Sequence, residues 1–260
     1  MKIRIKFAKY GSMKFIGHLD MMRFFQKAVR RAQIDIKYSE GFSPHQIMSF
    51  AYPLGVGIES VGDYMDIELC SQAEPESIRE SLNRCLVEGV RVLAVSVLDE
   101  NVKNAMASVA AASYLIHEKE DHGTMAKLKG VVEEFYAQPS IPYTKETKKS
   151  VVELDLKEGI YQIGLTEIPV FREISSYAAA MLEENIPSEE LCRTTALSLK
   201  VDASSSGNIK PSMVLEKLFQ YAGIPYEPSK YQVTRTETYT RMAGADSAQA
   251  LIPLGQTSLS

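Results

Sequence analysis

The spacing of hydrophobic residues changes from every second residue to about every 3.6 residues and back within the first hundred residues. This change of period is the sequence feature that most constrains the fold of the 260-residue chain. Charged and apolar residues alternate over residues 2–7, as on a half-buried strand that is predicted to resume at residues 13–16. Further elements are predicted as a helix at 18–33, strands at 47–52 and 62–69, a helix at 75–88 and a strand at 90–98. The order β-α-β-β-α-β predicts a ferredoxin-like domain over residues 1–100, with helices on one face of an antiparallel sheet.

The same order is predicted to recur over residues 113–242, so the α+β chain is interpreted as two tandem ferredoxin-like domains. The elements of this second domain are a strand at 113–118, a helix at 124–138, a hairpin of 150–156 with 161–166 about Glu158 and Gly159, a helix at 175–184, a strand at 194–201, a helix from Pro211 ended by Gly223, and a strand at 231–239. Residues 243–260 have little charge and no periodicity, which predicts a flexible tail.

Composition indicates a globular protein that stays in the cytoplasm. Hydrophobic residues make up 45% of the chain and charged residues 24%, unlike a disordered protein. No apolar run of about 18 residues is present to span a membrane, and the alternating start is unlike a signal peptide. Cys70, Cys85 and Cys192 are odd in number and widely spaced, which predicts reduced thiols, no metal site and no iron–sulfur cluster on this chain alone.

Charge is distributed unevenly along the chain. The formal net charge is −4, yet ten Lys and Arg face three Asp and Glu before residue 48. Four of these cations fall opposite the apolar side of the first predicted helix, namely Arg23, Lys27, Arg30 and Arg31. Such a stripe favours an anionic partner, although a solvated helix face explains it as well.

Three stretches are dense in residues that folding alone does not require: Gly17-His-Leu-Asp-Met-Met-Arg, Tyr38-Ser-Glu-Gly-Phe-Ser-Pro-His and Ser49-Phe-Ala-Tyr-Pro-Leu-Gly-Val-Gly. In them the chain resembles the radical SAM-associated family of uncharacterised bacterial proteins, whose genes lie beside, or are fused to, genes for B12-binding radical SAM enzymes. The resemblance is strongest over residues 1–70, and Arg235 with Thr236 suggests that it extends further. It implies a radical SAM partner that carries the cluster. Many members have Ser where this chain has Gly17, so a helix-capping hydroxyl is absent here.

The leading hypothesis is an accessory protein that binds RNA, such as a tRNA or rRNA element, and presents it to the radical SAM partner. The stripe on the first helix and Lys14 would contact phosphates, and Arg235 would reach the same cleft. The loop that follows would shape the substrate site through Tyr38, Ser39, Gly41, Phe42, Pro44 and His45. Turn formation explains the glycine equally well, and a cross-strand ion pair is the plain account of Arg235.

Two further hypotheses belong to other classes. His18, Asp20 and His45 are candidates for an acid–base or metal-assisted site, as in a ribonuclease. The plainer interpretation is that His18 bonds backbone groups and Asp20 complements the helix N-terminus. The third hypothesis is an adaptor that binds protein through the basic helix without nucleic acid. The sequence contains no recognisable catalytic triad or nucleotide motif, which favours a protein that is not an enzyme by itself.

Overall fold

The computed structural model describes residues 1–99, 101–146, 151–242 and 250–256. Its contacts divide the chain into two compact units. Unit 1 comprises Met1–Ala110 together with Arg235–Ser260, and unit 2 comprises Ala111–Thr234. The first unit is therefore built from both ends of the chain, while the domain boundaries at residues 100 and 113 stay a prediction.

The elements before residue 111 follow the predicted order. They are β1 (Lys2–Lys9), α1 (His18–Arg31), β2 (Met48–Phe50), β3 (Glu59–Glu68), α2 (Pro75–Asn83), β4 (Val90–Leu98) and a short α3 (Ala105–Ser108). Residues 13–16 do not continue the first strand. Gly11 has a φ of 56°, and the Met13 N–H bonds the Tyr10 carbonyl, so Gly11–Phe15 form a 3-10 turn.

The following elements are β5 (Ala111–Glu118), α4 (Thr124–Lys127), α5 (Val131–Ala137), β6 (Pro142–Glu146), β7 (Val151–Asp155), α6 (Leu156–Gly159), β8 (Ile160–Phe171), α7 (Tyr177–Leu182), β9 (Leu191–Asp202), α8 (Pro211–Ala222), β10 (Tyr231–Arg241) and β11 (Leu251–Pro253). The predicted ends of α8 are confirmed, with Pro211 in its first turn and Gly223 in the left-handed conformation after it. The predicted helix over residues 124–138 divides at Gly130, which has a φ of 84°.

In unit 1 the strands lie in the order β4-β1-β3-β10, with β2 paired to β3 and β11 to β10. The pairs β1–β3, β1–β4, β2–β3 and β10–β11 are antiparallel. Ile3, Ile5 and Phe7 of β1 join one buried cluster with Met21, Phe25 and Val29 of α1 and with Ile78 and Leu82 of α2. A mixed α/β chain with a mainly antiparallel sheet is thus confirmed, whereas the tandem ferredoxin-like arrangement stays a prediction.

In unit 2 the strand order is β5-β9-β8, and β6 and β7 form a separate two-stranded sheet. The predicted hairpin about Glu158 and Gly159 is wrong because β7 pairs with β6 and β8 pairs with β9. The Asp155 carboxylate accepts the N–H groups of Lys157 and Ile141 at 2.9 and 2.8 Å, and it caps one helical turn where a β-turn is predicted.

The C-terminal segment adds to unit 1. Of the predicted flexible tail, residues 243–249 and 257–260 lie outside the described residues. Residues 250–256 instead form β11 and a 3-10 turn, and Leu254 is buried with its carbonyl accepting a hydrogen bond from Arg4 Nη1 at 3.0 Å. None of the helices in the described parts of the chain is long and apolar enough to span a membrane.

Candidate functional site

The predicted stripe of cations forms one exposed face of α1, called here the basic face and made of Arg23, Lys27, Arg30 and Arg31. Their spacing of four, seven and eight residues places them within about 100° on the helix. Met21, Phe25, Ala28 and Val29 are buried on the other side. Arg30 and Arg31 in the last turn also complement the negative end of the helix dipole.

Few protein groups neutralise this basic face. Arg23 Nη1 lies 3.3 Å from Asp20 Oδ1, but both side chains are 68% exposed, so the pair is weak. Arg31 Nη2 donates to the Cys85 carbonyl at 2.8 Å. Within the described residues, no hydrogen bond or ion pair engages the side chains of Lys27 and Arg30. The basic face therefore keeps a net positive charge to which an anion can bind.

The loop after α1 is an ordered hairpin over residues 37–47, called here the tip hairpin. The Ile47 N–H bonds the Lys37 carbonyl at 2.9 Å, and the Ser39 N–H bonds the His45 carbonyl at 2.8 Å. Ser39 Oγ accepts the His45 N–H at 3.0 Å and lies 2.8 Å from His45 Nδ1. These bonds make a firm base for the exposed tip.

The tip itself presents an aromatic ring to solvent. Gly41, with a φ of 105°, makes a turn that other residues adopt only under strain. Phe42 beside it is fully exposed, and Pro44 is also exposed. A large apolar side chain held in water on an ordered turn is an unusual arrangement for a residue that only supports the fold.

One side chain ties the tip hairpin to α1. Gln46 is buried, and its Nε2 donates to the Gln26 carbonyl at 3.3 Å and to the Tyr38 hydroxyl at 3.4 Å. Gln26 lies three residues after Arg23 and four before Arg30, so it adjoins both on the helix surface. The base of the tip hairpin therefore flanks the basic face.

The three candidate catalytic residues have separate surroundings. The His18 ring packs edge-on against Phe50 at 5.3 Å, His45 bonds Ser39, and Asp20 pairs with Arg23. No hydrogen bond or ring contact joins His18 to His45 among the described residues. In the same parts of the chain, no group of three or more His, Cys, Asp or Glu is placed to hold a metal ion. Cys70, Cys85 and Cys192 are free thiols.

Two predicted anion contacts are buried. Lys14 Nζ lies 3.4 Å from Glu59 Oε1. Arg235 Nη1 donates to Asp63 Oδ1 at 2.6 Å and to the Tyr52 carbonyl at 2.8 Å, and its guanidinium stacks over the Tyr52 ring at 4.4 Å. The plain account of Arg235 as a cross-strand ion pair therefore describes its contacts, since β3 and β10 are neighbours.

A small cavity in unit 1 brings together groups that lie far apart in the sequence. Lys9, His18 and Asp63 line it with Phe50 and Tyr52, and its free volume is about 20 Å³. Lys9 is 3% exposed, and its Nζ donates to the Ile16 carbonyl at 3.1 Å. Burial lowers the pKa of the Lys9 amine, an effect that Asp63 opposes and Arg235 reinforces.

The sequence contains a pattern that indicates the burial of Lys9. Lys9 follows Ile3, Ile5 and Phe7 at intervals of two, which places a lysine in the apolar series of β1 and not among the outward cations Lys2 and Lys6. Asp63 carries no such signal, because its pairing with Arg235 joins residues 172 positions apart.

Comparison with known proteins places the chain in a broad group. A family model described as an uncharacterised protein conserved in bacteria, DUF2344, matches residues 2–211. No curated protein matches. A crystal structure of a Cbf5-Nop10-Gar1 complex contains a similar chain, with a TM-score of 0.43 and 11% identity. The match covers 91% of this chain and 48% of that one, so this chain spans about half the length of its structural neighbour.

Proposed function

The chain belongs to this family of uncharacterised proteins conserved in bacteria, and we propose that it is an accessory protein that binds RNA through the basic face and the tip hairpin. The observation that carries the proposal is the positive excess on α1, where Lys27 and Arg30 are exposed beside Arg23 and Arg31. Arginine and lysine contacts to phosphate supply much of the affinity in nucleic-acid binding, without regard to base sequence.

The tip hairpin adds a contact of a different kind. Phe42 offers an exposed ring at the end of a turn whose base is tied to α1 through Gln46. An unpaired base stacks on such a ring while its neighbouring phosphates meet cations. The combination favours a single-stranded segment, such as the loop of a tRNA or rRNA, over a continuous duplex.

The partnership with a radical SAM enzyme rests on the family resemblance of residues 1–70. In this proposal the partner supplies the iron–sulfur cluster and the chemistry, and this chain presents the RNA. Mixing the purified chain with a purified B12-binding radical SAM protein, the class of partner that the resemblance implies, tests the partnership by size-exclusion chromatography. A stable complex that survives ribonuclease treatment shows a direct protein contact, and separate elution at micromolar concentrations contradicts the partnership.

The RNA proposal is tested by fluorescence anisotropy with a labelled single-stranded RNA over a series of salt concentrations. Replacing Lys27 and Arg30 by Ala should weaken binding and lower the slope of log affinity against log salt by about one for each phosphate that the variant no longer neutralises. Arg84→Ala is the matched control, since Arg84 is an exposed arginine at the end of α2.

Two outcomes oppose the RNA proposal. Absence of binding at low salt contradicts it directly. A partner complex that forms without RNA, and that the Lys27 and Arg30 substitutions disrupt, favours the protein-binding adaptor instead.

A further inference from the structure

We propose that the cavity beside Lys9 is a binding site for the carboxylate group of a small organic acid. The cavity is lined by residues of β1, α1, β2, β3 and the segment between β2 and β3, all within unit 1. None of its lining residues belongs to the basic face or the tip hairpin. The inference therefore stands independently of RNA binding.

Lys9 is a buried amine without an anionic partner of its own. Its Nζ makes one hydrogen bond, to the neutral carbonyl of Ile16, and no carboxylate lies within 4.0 Å of it in the described residues. An ammonium has three donors, so two remain for another acceptor. A buried cation is costly without a counter-charge, and a bound carboxylate would supply that charge.

Asp63 is not a direct counter-charge for Lys9 because its carboxylate already pairs with Arg235. The Asp63 Oδ1 to Arg235 Nη1 distance of 2.6 Å makes a close ion pair, and both side chains are buried. The Asp63 carboxylate is thus shared between Arg235, which it contacts, and Lys9, on which it acts only from a distance. A bound carboxylate would give Lys9 an anion in direct contact.

His18 supplies a further donor at the same cavity. Its ring lines the space and packs on Phe50, while its nitrogens make no hydrogen bond to the described residues. One ring N–H is available in either neutral tautomer, so His18 and Lys9 can each donate to an oxygen of the ligand.

The size and walls of the cavity select the ligand. A free volume of about 20 Å³ holds one or two water-sized groups, so the carboxylate oxygens would lie inside the cavity and the rest of the ligand would extend towards the surface. Phe50, Pro53 and Leu54 add apolar walls, and the exposed Pro53 shows where the cavity reaches the surface. A short carbon chain attached to the carboxylate would lie against these walls.

The test uses the full chain with 13C-labelled lysine, followed by NMR. Sodium acetate and sodium propionate are titrated at constant ionic strength against sodium chloride, with acetamide as the uncharged analogue. We expect a saturable shift of the Lys9 resonance and a rise in the Lys9 pKa with either acid, and no such shift with acetamide. The spectrum of Lys9→Met assigns the resonance.

The variants supply the second measurement. Carboxylate should raise the thermal midpoint of the wild-type chain, and Lys9→Met should need at least a tenfold higher carboxylate concentration for the same rise. Lys2→Met, on the same strand, should respond as the wild-type chain does. A shift that does not saturate in the wild-type chain, an equal response to acetamide, or an unchanged response in Lys9→Met overturns the proposal. If Lys9→Met does not fold, the spectrum of Lys9→Arg assigns the resonance instead, and the wild-type NMR titration then decides the matter.

Discussion

Lys9 makes the stability of the protein depend on pH in a direction opposite to that of a salt-bridged lysine. Its folded-state pKa lies below 10.5, the value of a free lysine, because burial disfavours the charged amine. Between the two values the unfolded chain binds more protons than the folded chain. The free energy of unfolding should therefore rise with pH across that window.

We predict that the wild-type chain gains stability relative to Lys9→Met as pH rises through the window between the depressed folded-state pKa of Lys9 and 10.5, the value of a free lysine. Urea unfolding of both proteins at several pH values measures the difference, and ionisations far from Lys9 cancel in the comparison. The charged groups that act on Lys9 are Asp63 and Arg235, with His18 also at the cavity. A difference that is constant with pH contradicts a depressed pKa.

Phe42 should matter for binding and not for folding. Phe42→Ala is predicted to change the free energy of unfolding by less than about 0.5 kcal/mol, because the ring has no buried contacts. The same change should weaken single-stranded RNA binding by about 1–3 kcal/mol, as the removal of one base-stacking ring does. Phe42→Trp should retain affinity.

Phe15→Ala provides the control for this prediction, since Phe15 is another exposed aromatic residue of unit 1. Anisotropy gives the affinities, and denaturant unfolding gives the stabilities. An equal decrease of RNA affinity in the two alanine variants would show that Phe42 has no special contact.

At the scale of elements, the contact between β3 and β10 depends on one glycine. A methyl group on Gly62 would overlap the Cα of Glu237 and the carbonyl oxygen of Thr236. These are backbone atoms, which cannot move aside as a flexible side chain can. The Thr238 hydroxyl also donates to the Gly62 carbonyl at 2.8 Å, so displacement of the strand breaks this bond.

Gly62→Ala is therefore predicted to destabilise the protein by about 1–3 kcal/mol. Gly164→Ala in β8 is the matched control, because a methyl group there meets no atom within 4 Å. It should be neutral or slightly stabilising. Thermal unfolding followed by circular dichroism compares the two, and equal midpoints would contradict the close approach of the strands.

Prediction from sequence succeeded where a periodic pattern agreed with its end signals. The α1 and α8 helices were predictable because their apolar spacing is long and regular, and Pro211 and Gly223 mark the ends of α8. The hairpin about Glu158 and Gly159 was not, since the same residues suit a turn or a helix end until the contacts of Asp155 are known.

The candidate sites likewise divide into features that local sequence predicts and features that depend on tertiary contacts. The basic face and the exposed loop could be inferred from local spacing in residues 18–45. The Lys9 cavity depends on Asp63 and Arg235, which approach each other only through tertiary structure. Nothing in the local sequence of β10 specifies which carboxylate Arg235 meets.

At the scale of the whole molecule, unit 2 is an insertion within unit 1. Several contacts bind the C-terminal segment to the N-terminal strands: Arg235 to Asp63, Glu237 Oε1 and Oε2 to the Tyr64 hydroxyl and Lys6 Nζ at 2.7 and 2.6 Å, and the Leu254 carbonyl to Arg4. The Ala110 N–H also bonds the Tyr239 carbonyl at 2.8 Å, so the two chain segments meet near the junction.

We predict that residues 1–110 alone do not fold cooperatively, because Asp63 loses its buried partner at a cost of about 3–5 kcal/mol. Joining residue 110 to residue 235 by a Gly/Ser linker of about eight residues should restore folding. Such a linker spans about 15 Å, comparable with the rise of about 13 Å over the four residue steps of strand from 235 to 239. Urea unfolding checks both chains, and a cooperative transition for residues 1–110 alone would contradict the prediction.

The return of the chain to unit 1 sets an order of events during synthesis. Unit 2 is contiguous and can fold as soon as it leaves the ribosome, whereas the Arg235 that supports the wall of the Lys9 cavity is made 125 residues after Ala110. At bacterial elongation rates that interval lasts about 6–25 s. For that time the nascent N-terminal strands lack the strand that completes their sheet, and Asp63 and Lys6 wait for Arg235 and Glu237.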